Sequence, residues 1–175
     1  MYKRNTFILT VIFCSRMLGL DAQNLQSSIK VQAMEMANAL VSRDYKAFVQ
    51  HMHPSIVAFA GGPQKLIGNM DSASTVMQQF GIVFKKIFIG NPGQVIQYKD
   101  QLQCVVPQST VMQSALGEMH AETSLVAISK DQGKTWYFID TNVYHADKLK
   151  SILPDLSPNL QIPAQKQPTF TPAQQ

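Results

Sequence analysis

The chain has 175 residues, 45% of them hydrophobic and only 15% charged, which is length and apolar content for one globular domain with a core of its own. Its formal charge is +4, of which the first 22 residues, with Lys3, Arg4 and Arg16 against Asp21, account for +2. The remainder holds no Lys/Arg run and no basic stripe interleaved with aromatics, so nucleic acid and anionic membrane surfaces are excluded as expected partners.

The chain begins with a basic start from Tyr2 to Asn5. The apolar run TFILTVIFC follows over 6–14, and then MLGLDAQ, with the small Ala22 at a cleavage edge. This is the pattern of a secretory signal over residues 1–22 and predicts an exported chain, periplasmic or extracellular, beginning near Gln23. The run falls short of the roughly 20 apolar residues a spanning helix needs, and Arg16 interrupts it, so no permanent membrane span is expected. Cys14 follows the bulky Phe13, where a lipidation site has a small residue. Loss of the signal leaves Cys104 as a lone thiol that cannot form an intramolecular disulfide. In the run LQCVV, with no Lys, Arg or His beside it, Cys104 reads as a small buried hydrophobe.

Val31, Met34, Ala37, Val41, Tyr45, Phe48 and Met52 recur at spacings of three and four, which predicts an amphipathic helix ending at Pro54. SIVAFAGG, from Ser55, reads as a short strand closed by Gly61 and Gly62. A second helix is expected from an N-cap at Asp71 or Ser72, burying Ala73, Val76, Phe80, Val83 and Ile87, and stopping at Gly90, Pro92 and Gly93. From Gln94 the period changes to two. QVIQY, LQCVV, STVMQSAL, EMHAETSLVAI and TWYFIDTNVY read as strands separated by KD, PQ and DQG. Helices first and antiparallel strands after predict an α+β domain over residues 23–153. Residues 154–175, rich in Pro and Gln, are expected to be disordered or loosely draped.

SKDQGKTW, Ser129 to Trp136, fits the S-x-D-x-G-x-T-W pattern of the Asp-box, a hairpin known from the propeller blades of sialidases. Asp131 can accept backbone N–H bonds within the turn and Gly133 can take a positive φ, so the motif staples a hairpin without contributing an acid/base pair. A propeller needs at least four blades and a motif in most of them, whereas this chain carries one copy; a sialidase is excluded.

The order of elements, together with ALVSRDYKAFVQHMHPSIVAFAGG and GKTWYFID, resembles the nuclear transport factor 2-like superfamily, including its SnoaL-like members, over roughly residues 29–144. The resemblance implies a cone: two to three N-terminal helices packed on a curved antiparallel sheet, with a pocket at the wide end that relatives use for catalysis, binding or dimerisation. It does not carry over the ketosteroid isomerase chemistry. Aligning on Asp44, Phe48 and Val49 puts Met36 and Ala60 where that branch has its Tyr and its acid, and no acid lies between Lys46 and Met70.

No G-x-S-x-G, Walker, G-x-G-x-x-G or H-E-x-x-H motif is present, so no cofactor is expected. Glu118, His120 and Glu122 share one strand face, either as a solvated surface or as a His poised by carboxylates. His51 and His53 diverge on a helix and lack a third ligand, so no metal site is expected. Asp140, polar within an apolar strand, either lines a pocket or is a hydrogen-bonded structural Asp. Tyr45 and Tyr98 read as core aromatics with wet tips at the pocket. Two functions follow. The leading one is an exported non-catalytic domain that binds a small apolar ligand or a protein partner, with Tyr45, His53, Tyr98, His120 and Asp140 as candidate contacts and a homodimer as a further expectation. The alternative is a cofactor-free lyase, isomerase or cyclase acting on a small hydrophobic substrate through His53, His120 or Asp140. Convergence of His120 and Asp140 in the pocket would favour the enzyme.

Overall fold

Two long strands, β3 (Gln101–Ser114) and β4 (Gly117–Ser129), pair antiparallel along their whole length and organise the fold. The structure, a computed structural model, describes residues 6–144 and 146–173, and the side chains of 23–144 and 148–173. The outer edge of β3 carries β1 (Val83–Ile89) on its C-terminal half and β2 (Ile96–Tyr98) on its N-terminal half. The outer edge of β4 likewise carries β5 (Tyr137–Asp140) and β6 (Thr169–Pro172). The result is an open six-stranded antiparallel sheet, and with five helices among the described residues the chain is α+β.

Helix α1 (Thr6–Ser42) lays Ile29, Ala33, Met36 and Ala37 on the sheet. The expected stripe holds at Ala37 and Tyr45 but fails at its start: Val31 and Met34 are exposed, and Ile29, Ala33 and Met36 are buried. Spacings of three and four fit more than one stripe in an apolar helix, and Ala33 takes the place of Met34 because a small side chain lets the helix lie close to the strands. The helix stops at Arg43, whose φ is +61°, and Asp44 caps the separate α2 (Tyr45–Gln50) by accepting the Ala47 N–H at 3.0 Å. The expected signal falls partly on residues 1–5, which lie outside the described residues, and partly on the start of α1. Among the described residues no helix is long and apolar enough to cross a membrane.

The expected strand at Ser55 is a helix, α3 (Pro54–Phe59). Five apolar-rich residues satisfy either period, and the start signals decide: Pro54 stands at the first helical position, and His53 Nδ1 accepts the Ser55 N–H at 3.2 Å. The next helix, α4 (Pro63–Gln79), starts eight residues before the expected cap, with Gly62 at φ +98° and Pro63 opening it. Asp71 and Ser72 lie within it, where the Ser72 hydroxyl donates to the Gly68 carbonyl at 2.8 Å. It ends at Phe80 and Gly81, and Val83 and Ile87 belong to β1, whose VFKKIFI is β-branched and aromatic. Four helices thus precede the sheet.

Pro107, expected in a turn, sits within β3. Its missing N–H falls on the side facing Gly90, where β1 has ended, and its carbonyl there accepts the Gly90 N–H at 2.8 Å.

Alternation along the strands divides the interior in two. On the α1 face Cys104, Val106, Leu125, Ala127 and Phe138 form one core with Trp136. On the opposite face Val126, Ile128 and Ile139 pack with Ile56 of α3, Leu149 of α5 (Ala146–Ile152) and Leu160. The segment after Pro154, expected to be draped, contributes to this second core. Buried Gln103 receives the Ser157 N–H at 2.8 Å on its Oε1 and donates its Nε2 to the Asp155 carbonyl at 2.7 Å, which latches the segment to β3. Composition favoured disorder, but a few well-placed apolar residues and two side-chain amides suffice once a sheet face is there to receive them.

The SKDQGK hairpin forms as expected between β4 and β5. Asp131 Oδ1 accepts the Thr135 N–H at 2.9 Å and the Ser129 hydroxyl at 2.8 Å, and these bonds hold its carboxyl down to about 2. Gly133 has φ +85°, and a methyl group there would overlap Leu25 of α1. Gly133→Ala is therefore expected to cost at least about 1–2 kcal/mol from the backbone term alone, measured by urea denaturation. The turn also docks on α1: Ser28 Oγ donates to the Gly133 carbonyl at 3.2 Å and Gln32 Nε2 to the Lys134 carbonyl at 3.0 Å. The motif joins strand, turn and helix without presenting a reactive group.

Candidate functional site

Between the α1 face of the sheet and α4 lies a cavity of about 410 Å³. Its floor is formed by alternate residues of the strands, Ile87 on β1, Thr110 and Met112 on β3, and Ala121 on β4. Its walls come from Met36 and Leu40 on α1, Phe48 on α2, and Met52. Leu66, Met70 and Met77 close it from α4, on one face at helical spacing. No residue of α4 is fully buried, because the helix covers a hollow instead of a packed core.

One corner of this apolar space is polar. Gln108 Nε2 donates to Asp140 Oδ2 at 3.1 Å and to Thr123 Oγ1 at 3.2 Å, while Asp140 Oδ1 accepts the Asn142 N–H at 2.7 Å. All four residues line the cavity. Register explains the meeting: Gln108 is opposite Thr123 and Leu125 opposite Asp140, so the three side chains share a face. Burial raises the Asp140 carboxyl above its ordinary 3.8, against the lowering effects of the Asn142 N–H and Gln108. Folded Asp140 therefore keeps its proton at pH values where the unfolded chain has lost it, and its contribution to stability falls as pH rises through 3.8 and above. Asp140→Asn is expected to unfold at higher urea than the wild type at pH 7, with the difference vanishing toward pH 3.

The other candidate residues lie elsewhere. His120, with Glu118 and Glu122, is on the opposite sheet face; its Nε2 is 3.5 Å from Glu118, which Lys85 binds at 2.5 Å, and Lys166 meets Glu122 at 2.6 Å. His120 and Asp140 do not converge. His53 is buried as the α3 cap, and burial, then the charge of Lys130, lowers it to about 4. Tyr45 is buried on α2, and Tyr98 lies on β2 beside Lys99, which pairs with Asp155. Neither lines the cavity. Cys104 is buried in the first core, and burial pushes its thiol up to about 11.

Gln108, Thr123 and the cavity methionines had no sequence reading as site residues. Gln108 looked like half of a Pro–Gln turn; the alternation Gln108, Thr110, Met112 was the available signal. The chain matches no family model, no curated protein and no solved structure.

Proposed function

We propose that this chain is an exported, non-catalytic domain of nuclear transport factor 2-like, cone-shaped type. In this reading it holds a small apolar molecule in the cavity under α4, with a hydrogen-bonding end at Gln108 and Asp140. The observation that carries the reading is the cavity itself: about 410 Å³, walled by aliphatic, aromatic and thioether side chains, with its polar groups gathered at one corner. A concave apolar space with a few convergent polar groups is the usual form of a small-molecule site. Asp140 accepts two N–H bonds, so the polar end of a ligand suited to this corner is a donor such as a hydroxyl or amine.

The test is a thermal-shift and Nile red screen of the protein from Gln23 onward. A ligand at a hundredfold over its Kd adds about 2.7 kcal/mol, well above the resolution of the method. Ala121→Phe, which projects a ring into the cavity from β4, is expected to abolish the shifts while leaving the circular dichroism unchanged. Binding that persists in Ala121→Phe places the ligand elsewhere. A screen without any shift rejects the small-molecule reading in favour of a protein partner or a second copy of this chain at the sheet face.

Asp140 also supports a second reading, a cofactor-free lyase, isomerase or cyclase, since a carboxyl in an apolar cavity with raised proton affinity is equipped for proton transfer. Conversion of a bound compound that stops in Asp140→Asn, with stability retained, would establish it.

A further inference from the structure

Among the described side chains there are seven methionines, and five of them, Met36, Met52, Met70, Met77 and Met112, line the one cavity. They arrive from separate parts of the chain: α1, the turn after α2, α4 twice, and β3. Met36 is buried, but the other four are partly exposed, so a small oxidant can reach them without unfolding. Thioethers make an adaptable apolar wall because they are flexible and polarisable. The same sulfur atoms are nucleophilic, and oxidation turns each into a polar, chiral sulfoxide.

Resting on the binding reading above, we infer that the cavity is a site of reversible methionine oxidation, and that a peroxide acting on Met52, Met70, Met77 and Met112 switches off apolar ligand binding. In each step a sulfur lone pair attacks one oxygen of hydrogen peroxide, the S–O bond forms as the O–O bond breaks, and the proton of the transferred oxygen passes to the departing hydroxide, which leaves as water. The thioether loses two electrons and the peroxide gains them. The product places a polar S=O group among Leu40, Phe48, Leu66 and Ile87, so it either turns toward the polar groups of Thr110, Thr123 and Asn142 or draws in water. An apolar occupant is disfavoured in either case.

Met34 is 47% exposed on the outer side of α1 and reports oxidation unrelated to the site, whereas Met119 stands opposite Met112 on the same sheet face and is not counted as a reporter. The experiment treats the protein with hydrogen peroxide and follows it by peptide mass mapping and Nile red titration. The expected result is oxygen gain at the four cavity methionines and a fall in Nile red affinity of about tenfold or more, restored by methionine sulfoxide reductases A and B together. Met70→Leu/Met77→Leu conserves volume on a helix with no fully buried residue, and, each protein being compared with its own untreated Nile red affinity, is expected to lose at least half of the peroxide effect.

Oxygen gain confined to Met34, an oxidised cavity that binds Nile red unchanged, or an equal loss in the Leu variant would each overturn the inference. If untreated protein takes up no Nile red, the binding reading fails, and oxidation is then judged by melting temperature. A drop that tracks cavity oxidation and shrinks in Met70→Leu/Met77→Leu upholds the site as oxidation-sensitive, and its absence rejects it.

Discussion

Trp136→Ala is expected to lower the unfolding free energy by about 3–5 kcal/mol, the largest effect of any single substitution considered for this protein. The ring is fully buried in the core between the sheet and α1, among Ile29, Ala33, Cys104 and Phe138. Its Nε1 donates to the Gly133 carbonyl at 3.0 Å, and its backbone N–H donates to Gln32 Oε1 at 2.8 Å. Truncation to Ala leaves a cavity and deprives the turn carbonyl of a partner, whereas Trp136→Phe refills most of the volume and loses only the indole N–H. The Phe variant should therefore lie between Ala and wild type. Because Trp136 is the chain's only tryptophan, unfolding must be followed by circular dichroism instead of intrinsic fluorescence. An Ala variant within about 1 kcal/mol of wild type would show that the ring does not occupy this core.

Acidification from pH 6.5 to 4 is expected to remove up to about 3 kcal/mol through His53 alone. The folded His53 takes up its proton only near 4, because burial and Lys130 disfavour the cation, whereas in the unfolded chain it does so near 6.5. Between those values the unfolded state binds more protons, so the stabilisation is complete above 6.5 and is lost as pH falls toward 4. Glu118, Glu122 and Asp155 are held below the ordinary carboxylate range by Lys85, Lys166 and Lys99, and begin to act only at the bottom of this window. Asp140 acts with the opposite sign. His53→Asn keeps a side-chain acceptor for the Ser55 N–H and does not titrate, so its urea midpoint should be nearly flat from pH 6.5 to 4.5. A wild-type midpoint equally flat over that range would mean that His53 is accessible to water.

What the sequence determined by itself is the part of the fold written in short-range physics. The period of two marked LQCVV, EMHAETSLVAI and TWYFIDTNVY as strands and Cys104 as a buried residue in one of them, because a strand's two-residue period is a local property. SKDQGK was legible as a hairpin for the same reason: Asp131 and Gly133 act within five residues of one another. The order of helices and then strands announced an α+β chain.

Only the tertiary structure decided the rest. SIVAF satisfies both periods; the His53 cap and Pro54 tip it to helix, but the burial of Ile56 against Val126 and Ile128, distant in sequence, is a tertiary fact. Residues 154–162, polar on average, are ordered by Gln103 and a sheet face that composition cannot report. The cavity was the least legible feature. Asp140 was visible as an odd polar residue, but Gln108, Thr123, Met70 and Met112 become a site only when strand register and the placement of α4 bring them together. Register and helix docking are set by the sum of many long-range contacts, none of which leaves a local mark in the chain.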